Sequence, residues 1–278
     1  MNYTPKKVVA RLFGGKGHVA PETLRKLNVA TAVLLALQAV ALLVFGVAYA
    51  VPVYVSHLTG DALQTKLRGT AITAPALHEL WNVNVVYLAV AVLLLTAVMY
   101  VLIATLWRAK YEAWLKKEKQ PLRWVVVAVA GGLMLMTFGL VSGVNEFTDL
   151  KSIMAFTVLA GLSAAWLELH PVRNGKLDTS TLLGVIIALV SALMPWFIVL
   201  STVLATNIFG SVGVPGYVWL LCAVLAVCWL SFISIMHVTN LKRGKWSHYL
   251  TADAWYTGLI LVFETVFVWV LFAAVLHP

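Results

Sequence analysis

Charge is scarce in this 278-residue chain: Asp, Glu, Lys and Arg make up 11% of it, against roughly a quarter in an ordinary soluble domain. With 62% of the residues hydrophobic, a water-soluble globular fold is excluded. Cysteine is nearly absent. Cys222 and Cys228 lie six apart in one apolar run, about 240° apart round a helix, which excludes a paired metal ligand or a local disulfide. Walker loops, zinc-ligand spacings, nucleophile elbows, repeats and low-complexity tracts are all missing. Soluble-enzyme chemistry therefore has no footing, and the chain is read as non-enzymatic. Histidines fall near the ends of apolar runs (His78, His170, His237, His248, His277). Apart from the adjacent His78 and Glu79 none is paired with a carboxylate, so no metal is expected.

What is present is a series of long apolar runs. A helix crossing a bilayer needs about 20 mostly apolar residues, and runs at 27–55, 82–107, 124–144, 152–167, 181–207, 215–239 and 254–276 read as seven spans. The predicted fold class is an all-α integral membrane bundle over 27–276, preceded by a polar, basic segment, 1–26. The first run is much longer than the core of a signal peptide, about 7–15 residues. Residues 56–81 form the longest connection and suit an external cap, a hairpin among the forms open to it. Of the 20 Lys and Arg residues, 17 fall at the N-terminus and in alternate connections, leaving only Lys66, Arg68 and Lys151 on the other side. That bias places the N-terminus in the cytoplasm and the C-terminus outside, with the plasma membrane as the expected location. The net charge of +9 is thereby explained by topology and lipid contact rather than by nucleic acid.

Only Glu264 is charged in the middle of a span, with ten uncharged residues before it and twelve after. An ionisable group at that depth is costly and faces the bundle interior. It is expected to be protonated and hydrogen-bonded. A structural bond to a neighbouring Ser, Thr or carbonyl, contact with a ligand, and a place on a proton path are the readings open to it. Trp196, Trp229 and Trp269 lie within spans and suit either close packing or the wall of an apolar pocket. Pro195 should bend the fifth span. Gly131, Gly132, Gly139 and Gly143 give the third span small residues for close helix approach.

Several local motifs then point one way. LRKLN with Gln38 downstream, Arg123–Trp124 with Met134, Pro195–Trp196, VPGYVW at Val214–Trp219, and GKWSHYLTADAWYTGLILVFETVFVW at Gly244–Trp269 occur in order on five of the spans. Together with seven spans and a cytoplasmic N-terminus, they resemble the heliorhodopsins, a retinal-binding family of inverted membrane orientation. The resemblance implies a rhodopsin-like bundle and a homodimer with the external first loop contributing. It also implies that the Schiff-base lysine falls at Glu264, the counterion glutamate at Val126, and a first-span histidine at Leu35. A carboxylate cannot form the imine, and no other lysine lies within a span.

The resulting expectation is a heliorhodopsin-like membrane protein without covalent retinal, acting as a binding or regulatory component. Its candidate cavity residues are Glu264, Val126, Met134, Trp196, Trp229 and Trp269, around non-covalent retinal, another polyene or a lipid. Two alternatives stand beside it: a proton or ion path with Glu264 as relay, and a scaffold docking a cytosolic or membrane partner through the basic loops.

Overall fold

The computed structural model describes residues 19–170, 179–240, 246 and 248–277. In chain order its elements are α1 (Pro21–Phe45), β1 (Ala50–Gly60), α2 (Ala62–Arg68), β2 (Thr73–Asn84), α3 (Val85–Ala104) and α4 (Arg108–Lys116). They continue with α5 (Pro121–Val141), α6 (Phe147–Leu169), α7 (Thr179–Phe209), α8 (Gly216–Asn240) and α9 (Tyr249–Leu271), which a π-helical turn extends over Phe272–Leu276. Seven of these helices, all but α2 and α4, are long and apolar enough to cross a membrane. The protein is an integral membrane bundle of seven helices. The N-terminal segment to residue 18, and the basic residues Arg173, Lys176, Lys242, Arg243 and Lys245 that entered the orientation reading, lie outside the described residues.

Large apolar side chains such as Val33, Leu37, Val40, Leu43 and Val44 stand exposed along α1, and Val98 and Val101 along α3. A surface of that kind would be untenable in water; lipid is its solvent. Helix starts follow local chemistry. Pro21 and Pro121 open α1 and α5 at positions where a missing N–H is harmless. The Asn84 side chain accepts from the Val86 N–H at 3.0 Å to cap α3.

Two span limits expected from hydropathy need correction. The first was carried to Val55, but α1 stops at Phe45, where the Gly46 N–H closes on the Leu42 carbonyl at 2.8 Å. Residues 50–60 are instead strand, paired antiparallel with β2 around a bulge at Val53/Tyr54. The VPVYV segment is rich in β-branched residues, and Pro52 lacks the donor a helix needs. The fourth span, expected over 152–167, runs from Phe147 to Leu169. Its polar start, with Thr148, Asp149 and Lys151, hides the beginning from a hydropathy reading. The hairpin rests on the α5–α6 connection. The Tyr54 N–H donates to the Asn145 carbonyl at 2.9 Å, Ser56 Oγ to Glu146 Oε1 at 2.8 Å, and the Trp81 and Phe147 rings meet edge-on at 5.2 Å.

Side by side, the spanning helices run α7, α6, α5, α3, α1, α9, α8. The ring does not close, because α7 and α8 barely touch. Close approach is greatest between α5 and α6. A Cβ on Gly161 would stand 2.6 Å from the Ala128 side chain and 2.9 Å from the Trp124 carbonyl oxygen. Of the third-span glycines, Gly132 and Gly139 face α6 at Met154 and Ile153, whereas Gly131 has only a Val127 methyl 3.9 Å away. Gly143, just past the helix, has a φ of 95°, a conformation that glycine adopts without strain.

These contacts predict opposite outcomes for two conservative changes. Gly161→Ala, which meets backbone, should destabilise the protein by about 1–3 kcal/mol in detergent unfolding. Gly131→Ala should be neutral or slightly stabilising; equal effects would contradict the close α5–α6 approach.

Candidate functional site

An apolar cavity of about 330 Å³ lies among α5, α6, α7, α8 and α9. Each helix contributes residues spaced three or four apart, one face of a helical turn: Val127, Gly131 and Met134 from α5, for example, and Ile260, Phe263 and Glu264 from α9. The wall is mostly aliphatic and aromatic, with Trp124, Trp196, Trp229, Phe232 and Phe263 among its rings. Thr157 also lines it, but its hydroxyl donates back to the Ile153 carbonyl at 2.7 Å. Among the described lining residues Glu264 is the only acid, and none is a lysine or arginine.

Glu264 is 3% exposed. Thr96 Oγ1, reaching from the wholly buried face of α3, donates to Glu264 Oε1 at 2.6 Å. The other oxygen, Oε2, is buried without a hydrogen-bond partner. Thus the one acid lining the cavity has one oxygen engaged by the protein and the other buried without a partner.

Of the residues expected to form a ligand cavity, Glu264, Val126, Met134, Trp196 and Trp229 all line this one. Trp269 does not, and this corrects the expectation. Five residues beyond Glu264, it is turned about 140° round the helix. There the residue is 38% exposed, Nε1 donates to Gln38 Oε1 at 3.1 Å, and its ring packs on Phe272 at 5.3 Å. Gln38 in turn donates to Thr265 Oγ1 at 3.0 Å, so this group ties α1 to α9.

A second polar centre, not anticipated as a unit, lies at the end of the bundle away from the hairpin. Arg123 is buried and ion-paired on two sides: Nη1 to Asp253 Oδ1 at 3.0 Å on α9, and Nη2 to Glu168 Oε1 at 3.0 Å on α6. Tyr249 Oη accepts from Nη2 at 2.7 Å and itself donates to Glu168, as does Trp124 Nε1. The Tyr256 ring lies 3.9 Å below the guanidinium, a cation–π contact. Tyr111, on the short helix α4, donates to Asp253 Oδ2 at 2.5 Å, with Asn28 Nδ2 donating to its oxygen at 3.3 Å. Burial, and then the adjacent Asp253, hold the Tyr111 phenol well above its ordinary pKa, so it remains a donor. Each acid sits near a span end, where sequence reading counts it as loop charge. The available signal was an arginine and an aspartate placed three and five residues inside apolar helices. Val126 and Ile260 line both the large cavity and a small one of about 10 Å³ beside Arg123 and Asp253. Tyr100 and Thr257 line the small one as well, so the region between Glu264 and the ion cluster is not wholly apolar.

The heliorhodopsin family model matches residues 24–276, nearly the whole described bundle. The chain belongs to the heliorhodopsin family. Comparison with curated proteins finds no match. Within this heliorhodopsin, the residues lining this cavity do not fit a covalently bound retinal. Imine formation needs a lysine, and among the described cavity residues there is none. Nor do three or more His, Cys, Asp or Glu side chains gather into a metal-binding group among the described residues.

The ion cluster predicts a large stability effect separable from the cavity. Asp253→Ala should destabilise by about 3–5 kcal/mol, since it leaves a buried guanidinium half paired. Tyr111→Phe should cost less, about 1.5–3 kcal/mol. Unfolding midpoints in a single detergent check the order, and a larger loss for Tyr111→Phe would refute the cluster as the dominant tie.

Proposed function

We propose that this heliorhodopsin is a non-enzymatic membrane binding protein that holds an elongated apolar molecule non-covalently, with Glu264 fixing the molecule's polar end. The observation that carries the reading is the convergence of Val126, Met134, Trp196, Trp229 and Glu264 on one cavity of about 330 Å³. Its size falls in the range of small-molecule sites, roughly 300–1,000 Å³, and its makeup, apolar walls with one placed polar group, is of the same kind. Retinal, another polyene or a lipid chain all suit such walls. Because α7 and α8 barely meet, and cavity residues Val185, Leu189 and Ile233 are exposed beside that gap, the bilayer supplies the natural route in. A relay role for Glu264 draws less support, since none of the described residues lining its cavity is another acid, a histidine, a lysine or an arginine.

The same reading keeps the N-terminus cytoplasmic, in the plasma membrane, and two copies together. Support for pairing comes from the hairpin. Its strands and tip helix leave Leu58, Leu63, Leu67 and Leu77 each 66–71% exposed, an apolar patch beyond the spans of the kind interfaces cover.

Absorption spectra of protein from retinal-fed cells, with mass spectrometry of its extract, test the binding role. The expected outcome is a polyene or lipid whose visible band, if it has one, is unaffected by hydroxylamine. A hydroxylamine-bleached band would overturn the non-covalent reading. Glu264→Leu should weaken binding of the extracted molecule; binding equal to wild type would remove the carboxyl from the account. For pairing, Leu63→Glu with Leu67→Glu should convert a cross-linkable dimer to monomer, and an unchanged dimer would place the interface elsewhere.

A further inference from the structure

The carboxyl of Glu264 has one oxygen committed and one free. Oε1 accepts from Thr96 at 2.6 Å, while Oε2 is buried with no partner. No described lining residue carries a positive charge, and the Arg123 guanidinium is taken up by Glu168 and Asp253. In such surroundings the neutral acid costs less than a lone carboxylate. A neutral acid of this kind has one partner with which it gains more than an ordinary hydrogen bond, namely a base that takes its proton.

We propose that the cavity selects amphiphiles ending in an amine, with Glu264 as the group that recognises the nitrogen. This rests on the reading of the cavity as a ligand site and names the class of ligand. The amine partitions through the bilayer in its neutral form and brings a lone pair to the Glu264 carboxyl. The acid O–H bond breaks, an N–H bond forms, and the result is an ammonium–carboxylate pair without net charge. No other reactant is needed. A hydrogen bond between two ions is roughly twice as strong as one between neutral groups. The faces of Trp124, Trp196, Trp229 and Phe232 add π surfaces that favour a cation once it has formed. An alcohol or ketone at the same place obtains one neutral hydrogen bond. A fatty acid brings a second acid with no cation to balance it.

The test uses the full chain in phosphatidylcholine nanodiscs loaded with equal amounts of dodecylamine, dodecanol and dodecanoic acid. Each probe that stays with the discs through gel filtration is quantified by mass spectrometry against protein-free discs. Wild type is expected to hold dodecylamine over dodecanol by about tenfold or more, corrected for the empty discs. Glu264→Gln should bring the two near parity while still holding dodecanol. If wild type holds no probe above the empty discs, the ligand-site reading fails and this inference falls with it. If dodecanol is held as well as the amine, the cavity binds but amine selection is overturned. A preference that persists in Glu264→Gln also overturns it. The wild-type comparison stands alone should that variant not fold.

Discussion

A guanidinium inside a membrane bundle must be surrounded by acids or it will not stay there, and Arg123 recruits its acids from two other helices. Glu168 on α6 and Asp253 on α9 close on it at 3.0 Å each, and Tyr111 brings the short helix α4 to the far side of Asp253. This fixes more than charge. Trp124, the next residue, is held to Glu168 and packs edge-on against Phe232 and Tyr256, at 6.4 and 5.9 Å. Of those rings Trp124 and Phe232 line the cavity at that end. The position of the apolar chamber therefore depends on an ion cluster that does not line it.

Glu264 and Val126 make sense as a pair. On the correspondence drawn from the sequence, the family's lysine and counterion fall at these two positions, so the chain has an acid where the family has a base and a methyl-lined wall where it has an acid. A glutamate left at 126 would have faced the same cavity as Glu264, and two acids there would have had no cation between them. Valine instead lines both the large cavity and the small one beside the ion cluster. The family scaffold thus carries a different pair of residues at these two positions.

Seven spans were legible because hydropathy is a local property, and lipid-facing and core-facing residues are apolar alike. Glu264 was legible for the complementary reason: one acid in a long uncharged run needs no alignment to be noticed. The β-hairpin start was not, since VPVYV is as apolar as the helix before it and only backbone pairing tells them apart. Trp269 was misplaced because depth in the membrane was read correctly while the angle round the helix was not. The Arg123 cluster escaped for want of any local pattern. Its members lie 45 and 130 residues apart, and each taken alone looks like the ordinary charged margin of a span.

The gap between α7 and α8 changes what occupancy means. A molecule that reaches the cavity through that side never competes with water for its place; it competes with acyl chains. Its effective concentration is moles per mole of lipid, so at a fixed total amount, adding protein-free membrane would empty the site as surely as a competitor. Between two compounds of equal fit, the one that dissolves better in the bilayer would fill it first.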